Sequence, residues 1–125
     1  MTIVIVDDHV NLRRLLHEWL KEELPACSFV EMRTAREALV YCRREAPLAV
    51  IMDIDMPGMN GIDATIELKA MLPDTKVVIL TIHENSAYKE AALKAGANAF
   101  VTKRRLYDDL VPALSHIVEC QGRIS

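Results

Sequence analysis

Leu48-Ala49-Val50-Ile51-Met52-Asp53-Ile54-Asp55-Met56-Pro57-Gly58 is the stretch that decides the fold. A short apolar run stops abruptly at Asp53, a second acid follows at Asp55, and Pro57-Gly58 marks a turn. A run this short and β-branched reads as a strand buried on both faces, the signature of a parallel sheet. The same design recurs along the chain. Ile3-Val4-Ile5-Val6 stops at Asp7-Asp8, Val77-Val78-Ile79-Leu80 at Thr81, and Ala99-Phe100-Val101-Thr102 at Lys103. In a parallel sheet every strand points the same way, so these polar residues are expected to emerge together at one edge.

Helix signals lie between the strands. Leu12, Leu15, Leu16, Trp19, Leu20 and Leu24 repeat on one helical face and Pro25 follows. Ser28 to Met32 is a weaker strand candidate. Thr34-Ala35-Arg36-Glu37 has the spacing of a capping box and opens a helix expected to run to Glu45, before Pro47. From Gly61 to Leu72 the residues Ile62, Ala64, Ile66, Leu68 and Ala70 alternate like a strand. The stretch is read as helix because Ala, Glu, Leu, Lys and Met dominate it and it is long for a strand. A further helix from Ser86 should close at Gly96, and Leu106, Leu110, Ala113, Leu114, Ile117 and Val118 mark a last one ending near Gly122–Ser125. The resulting βαβαβαβαβα order implies a five-stranded parallel sheet with helices on both faces, an α/β doubly wound fold.

The 125 residues suit one domain, expected to occupy 1–125, and at 51% hydrophobic they can build a core without disulfides. A formal net charge of -3 argues against direct nucleic-acid binding. No apolar run nears the roughly 20 residues that span a bilayer, and no signal peptide is evident, so a cytoplasmic location is expected. Cys27, Cys42 and Cys120 are too widely spaced for a disulfide framework or zinc knuckle and read as reduced thiols.

With strand order 2-1-3-4-5, the flavodoxin-like (βα)5 arrangement, the crevice between the first and third strands lies between Asp7-Asp8 and Asp53. Clustered carboxylates repel one another unless a cation bridges them, and carboxylate oxygens suit Mg²⁺, with Mn²⁺ an acceptable substitute. Lys103 offers a point charge and Thr81 a hydroxyl donor to an anion. A nucleophilic carboxylate, a divalent cation and two groups for phosphoryl oxygens are the parts that phosphoryl transfer needs. Taken singly each residue has a plainer reading: Asp7-Asp8 as a helix cap, Asp53-Ile54-Asp55 as a polar turn, Thr81 as a strand-end hydroxyl, Lys103-Arg104-Arg105 as a solvated basic cluster. Their joint placement favours the site.

These stretches, with Met56-Pro57-Gly58-Met59-Asn60-Gly61 and Ala92-Leu93-Lys94-Ala95-Gly96-Ala97, resemble the receiver domain of two-component response regulators, in wording closest to the NarL/FixJ-type subgroup. The resemblance covers nearly the whole chain. It implies a phosphorylation-controlled signalling switch, a phosphoacceptor module capable at most of self-phosphotransfer and autodephosphorylation. Asp53 would accept a phosphoryl group from a histidine kinase or phosphotransfer protein. Asp8 and Asp53 would ligate Mg²⁺ directly, Asp7 through water, and the backbone carbonyl of Asp55 would complete the protein ligands. Thr81 would shift toward a phosphoryl oxygen, Lys103 would pair with the phosphoryl group, and Phe100 would be the aromatic whose rotamer follows Thr81. The resemblance also implies a C-terminal DNA-binding output domain outside this chain, transcriptional control, and a homodimer formed on phosphorylation.

Some positions depart from the pattern. Lys103 precedes Arg104, where the family often has proline, which leaves the geometry of that peptide bond open. Phe100 lacks the hydroxyl that some members carry. His83 and Asp55 border the phosphoryl site in the family. An alternative class is a haloacid-dehalogenase-like phosphatase, since Asp53-x-Asp55 matches its nucleophile and acid pair. Such enzymes need a small hydroxyl or β-branched residue where this chain has Pro57, and they carry their metal acids after a later strand.

Overall fold

In the computed structural model, which describes residues 1–124 with side chains through Gln121, strands and helices alternate without exception. The elements are β1 (Thr2–Val6), α1 (Val10–Glu23), β2 (Ser28–Met32), α2 (Ala35–Glu45), β3 (Ala49–Met52), α3 (Gly61–Met71), β4 (Lys76–Thr81), α4 (Ser86–Lys94), β5 (Ala99–Thr102) and α5 (Leu106–Ile124), the last entered through a 3₁₀ turn at Lys103–Arg105. The strands form one parallel sheet of order β2-β1-β3-β4-β5, the expected flavodoxin-like arrangement. α5 extends to Ile124, so the helix end expected near Gly122–Ser125 falls at the last described residue, and Ser125 lies outside them.

Successive side chains on a strand face opposite ways, and the central strands use both faces for packing. Val4, Val6, Val50, Met52, Val77 and Ile79 join Ala35, Ala38, Leu39 and Cys42 of α2, Ala64 and Leu68 of α3, and Ala92 of α4. Ile3, Ile5, Ala49, Ile51, Val78, Leu80 and Val101 join Leu16 and Leu20 of α1 and Leu106, Leu110, Leu114 and Ile117 of α5. The sheet thus separates two cores, and the unbroken apolar runs follow from burial on both sides.

α3 is a helix despite its alternating letters. It buries Gly61, Ala64, Thr65 and Leu68, spaced by three and four, and leaves Ile66 51% exposed. Its start is fixed by Asn60, whose side-chain oxygen accepts from the amides of Ile62 and Asp63. The capping box at α2 is half made: Thr34 Oγ1 accepts from the Glu37 amide at 3.1 Å, while the Glu37 carboxylate turns to Arg33, 3.8 Å away. α2 ends on Ala46 in the left-handed region (φ 44), where glycine is usual.

The stripe expected on α1 is rotated. Arg13, Leu16 and Leu20 are its buried residues, Trp19 is partly buried against the edge of Tyr107, and Leu15 is 50% exposed. Arg13 is drawn inward by polar partners described below. Cys27 and Cys42 are buried free thiols, burial pushing Cys42 up to about 11, while Cys120 is partly exposed. Among the described residues no helix is long and apolar enough to cross a membrane.

Candidate functional site

Four strand ends converge where the sequence places them. Asp7 and Asp8 follow β1, Asp53 is the first residue past β3, Thr81 closes β4, and Lys103 opens the turn after β5. Parallel register explains the meeting: Val6 pairs with Met52, Met52 with Ile79, and Thr81 with Thr102. Asp7 and Asp53 therefore step off adjacent strands at the same level.

Both carboxylates are almost wholly enclosed, Asp7 at 1% and Asp53 at 4% exposure. The Lys103 ammonium bridges them, its Nζ 3.2 Å from Asp7 Oδ2 and 3.5 Å from Asp53 Oδ2. One positive charge between two buried negative ones leaves a deficit. It shows at Asp53, raised from 3.8 to about 6: burial is the largest cause, Asp7 adds to it, and Lys103 and the Asp55 amide oppose it.

Asp8 completes the acidic cluster. Its Oδ1 is buried and has no hydrogen-bond partner, which singles it out as an oxygen waiting for a ligand. One ligand atom from each of Asp7, Asp8, His9 and Asp53 falls within 4.8 Å of the others. Closely spaced carboxylate oxygens, one of them orphaned, are a donor set that fits a hard divalent cation. His9 is the N-cap residue of α1, as a helix-end role requires, and also leans on the acids: its amide donates to Asp7 Oδ1 at 2.8 Å, and its Nδ1 lies 3.1 Å from Asp7 Oδ1 and 3.4 Å from Asp8 Oδ1.

The loop after β3 is shaped by a residue with no room for a side chain. A Cβ at Gly61 would lie 2.0 Å from the Asp53 carbonyl oxygen, and the Gly61 amide donates to the Ile54 carbonyl at 2.9 Å. Glycine at the start of α3 thus lets the helix sit directly on the backbone of Asp53.

Thr81 is fully buried, and its Oγ1 accepts from the His83 amide at 3.2 Å. By alternation along the strands, Thr81 and Phe100 share the sheet face that packs against α3 and α4, and the Phe100 ring is half-buried there. His83 Nε2 meets Asp55 Oδ2 at 2.5 Å, and Tyr88 stacks on the His83 ring with centroids 3.9 Å apart and planes 4° from parallel. The loops after β3 and β4 are thus tied beside the acids. The Lys103–Arg104 peptide bond is trans, the described chain containing no cis bond.

The letters alone did not single out Arg13, Glu31 or the role of Gly61. The one signal for Arg13 was its spacing with Leu16 and Leu20, which puts a charge on the core stripe. A surface hollow of about 490 Å³, lined by Met1, Pro47, Leu48, Leu72 and Pro73 among others, borders the opposite edge of the sheet. The acidic site lies apart from that hollow, with Asp7 and Asp53 enclosed at the other ends of the strands.

Comparison with known proteins agrees with this chemistry. The chain matches the response regulator receiver domain family over residues 3–115. It is 32% identical over 117 residues to the transcriptional regulatory protein DegU of Brevibacillus brevis, covering 94% of this chain and 50% of that protein. The crystal structure of a two-component response regulator of the LuxR family from Aurantimonas sp. SI85-9A1 superposes with a TM-score of 0.88 at 34% identity, covering 94% of this chain and 84% of that one. The response regulator TrrA from Thermotoga maritima, solved in complex with Mg²⁺-BeF, superposes with a TM-score of 0.83 at 29% identity over 93% of this chain and 97% of that one. The chain spans about half the length of the curated relatives it matches.

Proposed function

The chain belongs to the response regulator receiver domain family, phosphoacceptor modules rather than classical enzymes, and from that premise we propose that Asp53 is its phosphoacceptor and that residues 1–125 act as one receiver. The observation that carries the assignment is the enclosure of Asp53 beside Asp7 with Lys103 shared between them. At about 6 its acidity leaves roughly nine-tenths of it ionised at pH 7, so it is available as a nucleophile.

In this reading a carboxylate oxygen of Asp53 attacks the phosphorus of a phosphohistidine on a kinase or phosphotransfer protein. A P–O bond forms, the P–N bond breaks, and the electron pair leaves with the imidazole. Asp7, Asp8 and Asp53, with the Asp55 carbonyl, would hold Mg²⁺ or Mn²⁺, which supplies charge neutralisation at the phosphoryl oxygens. Lys103 would exchange its carboxylate partners for a phosphoryl oxygen. Thr81 would donate its hydroxyl to a phosphoryl oxygen and shift toward it, opening space on the face it shares with Phe100.

Relatives named as transcriptional regulators, about twice as long as this chain, support a role as the regulatory part of a cytoplasmic, DNA-binding transcription factor. The output domain would lie outside residues 1–125, and phosphorylation would favour a homodimer. Incubation with a small phosphodonor and Mg²⁺, followed by mass spectrometry, tests the acceptor. One phosphoryl group on Asp53, absent from Asp53→Asn, is expected. Label on a histidine, or undiminished label in the variant, refutes it.

A further inference from the structure

We infer that Arg13 is a positioning residue of the acidic site: its guanidinium, oriented by Glu31 and His17, fixes the Asp7 carbonyl and with it the Asp7–Asp8 turn on which the cation would sit. This rests on the reading of Asp7, Asp8 and Asp53 as the cation's carboxylates. Arg13 lies on the first turns of α1 with its side chain 9% exposed. A buried arginine needs partners for its charge and its donors. It finds them on two elements. Nη1 donates to the Asp7 carbonyl at 2.7 Å, and Nε donates to Glu31 Oε1 of β2 at 3.0 Å. The second Glu31 oxygen meets His17 Nδ1 at 2.8 Å. Burial acts to raise the Glu31 carboxyl, but the bonds and charges of His17 and Arg13 outweigh it and hold the group below its usual value, so the pair stays ionic.

The Asp7 carbonyl belongs to the peptide plane that joins Asp7 to Asp8, so gripping it fixes the orientation of one acid relative to the other. The preceding plane is also held, because the Asp7 amide donates to the Met32 carbonyl at 3.2 Å. Asp7 is thereby set on both sides of its Cα, with Oδ1 on the His9 amide and Oδ2 toward Lys103. Neither bond of Arg13 involves a carboxylate of the cluster. Glu31 balances its charge, so Arg13 orients the acids without competing with Lys103 or with a bound cation. The task needs a planar fork: a lysine ammonium has the charge but cannot direct donors to the carbonyl and to Glu31 in fixed geometry.

The test is calorimetric titration of Mg²⁺ into the wild type and Arg13→Lys, with circular dichroism establishing that each is folded at the assay temperature. Partners behind the ligands of a metal typically change affinity 10- to 100-fold when lost, so Arg13→Lys should bind Mg²⁺ at least about 10-fold more weakly. A folded Arg13→Lys with wild-type affinity overturns the inference and leaves the cation site standing. Should Arg13→Lys fail to fold, Glu31→Gln keeps the shape and removes the charge that orients the guanidinium. A weaker Mg²⁺ affinity in that folded variant supports the inference, and an unchanged one overturns it. A wild type that binds no Mg²⁺ ends the cation reading itself, and this inference with it.

Discussion

Asp53→Asn should stabilise the metal-free protein, by an amount that depends on pH. The Asp53 carboxyl titrates near 3.8 when unfolded and near 6 when folded, raised chiefly by burial. The folded state therefore holds more protons across that window, and stability falls as pH rises through it. Below about 3.8 both states are protonated and the penalty vanishes; above about 6 it is present in full. A rise of roughly two pH units at 1.36 kcal/mol each gives about 3 kcal/mol at pH 7.5. Exposure of only 4% means that solvent screening takes little from this figure. Asparagine removes the charge yet keeps an oxygen for the Asp55 amide and Lys103. For a domain of this size the gain corresponds to a melting temperature higher by about 10 °C. Thermal melts in chelator should show the gap near pH 7.5 and its closure toward pH 4, where contributions from other groups cancel in the comparison. Adding Mg²⁺ should narrow it, because a ligand of the folded wild type stabilises that state alone. A variant no more stable than wild type at pH 7.5, or a gap that does not change with pH, refutes the reasoning.

Asp8→Ala removes the orphaned Oδ1, so it should raise metal-free stability by about 1 kcal/mol and abolish Mg²⁺ binding; melts and calorimetry measure the two effects. Lys103→Ala leaves Asp7 and Asp53 without their shared cation, so Asp53 should titrate above about 6, as carboxyl NMR shifts of the metal-free variant would report. Gly61→Ala forces a methyl to within 2.0 Å of the Asp53 carbonyl oxygen and should cost at least about 2 kcal/mol in urea melts, with slower phosphoryl acceptance. Ala46→Gly relieves a left-handed alanine at an exposed helix end and should gain about 0.5 to 1 kcal/mol in the same assay.

β1, β3 and β4 were legible because a strand buried on both faces is apolar along its length and stops abruptly at a polar residue, whereas β2, with Ser28 and Glu31 on a sheet edge, left a weaker signal. α3 was legible only through composition. Its alternating apolar letters include Ile66, which faces solvent, and Thr65, which is buried with its hydroxyl on the Gly61 carbonyl at 2.7 Å. The convergence of Asp7, Asp53, Thr81 and Lys103 followed from parallel topology alone. Arg13 and Glu31 were not legible, since a charge on a helix or strand reads as a solvated position until its partner is known, and these partners are 18 residues apart. Gly61 was hidden for a related reason. The need for glycine there comes from the approach of α3 to the Asp53 carbonyl, a tertiary fact with no local trace. The tie between His83 and Asp55 also joins residues distant in sequence.

The shared lysine makes cation and phosphoryl group interdependent. Lys103 now serves Asp7 and Asp53 at 3.2 and 3.5 Å. A phosphoryl group on Asp53 would raise the local negative charge to nearly two and draw the ammonium to itself, leaving Asp7 buried without compensation. A divalent cation between Asp7, Asp8 and the phosphoryl oxygens is the remedy that these residues allow. Linkage then requires the effect to run both ways: whatever factor the cation contributes to phosphorylation, phosphorylation returns to cation affinity. Thr81 would enter the same balance: its oxygen accepts the His83 amide, while its O–H is a donor that a phosphoryl oxygen could accept. The loop after β4 is bound to Asp55 through His83 and braced by Tyr88, so a shift of Thr81 toward a phosphoryl group would act on that loop as well. Burial raises the Asp53 carboxyl, and in the proposed switch a change of charge at that enclosed position would act through Lys103 and Thr81.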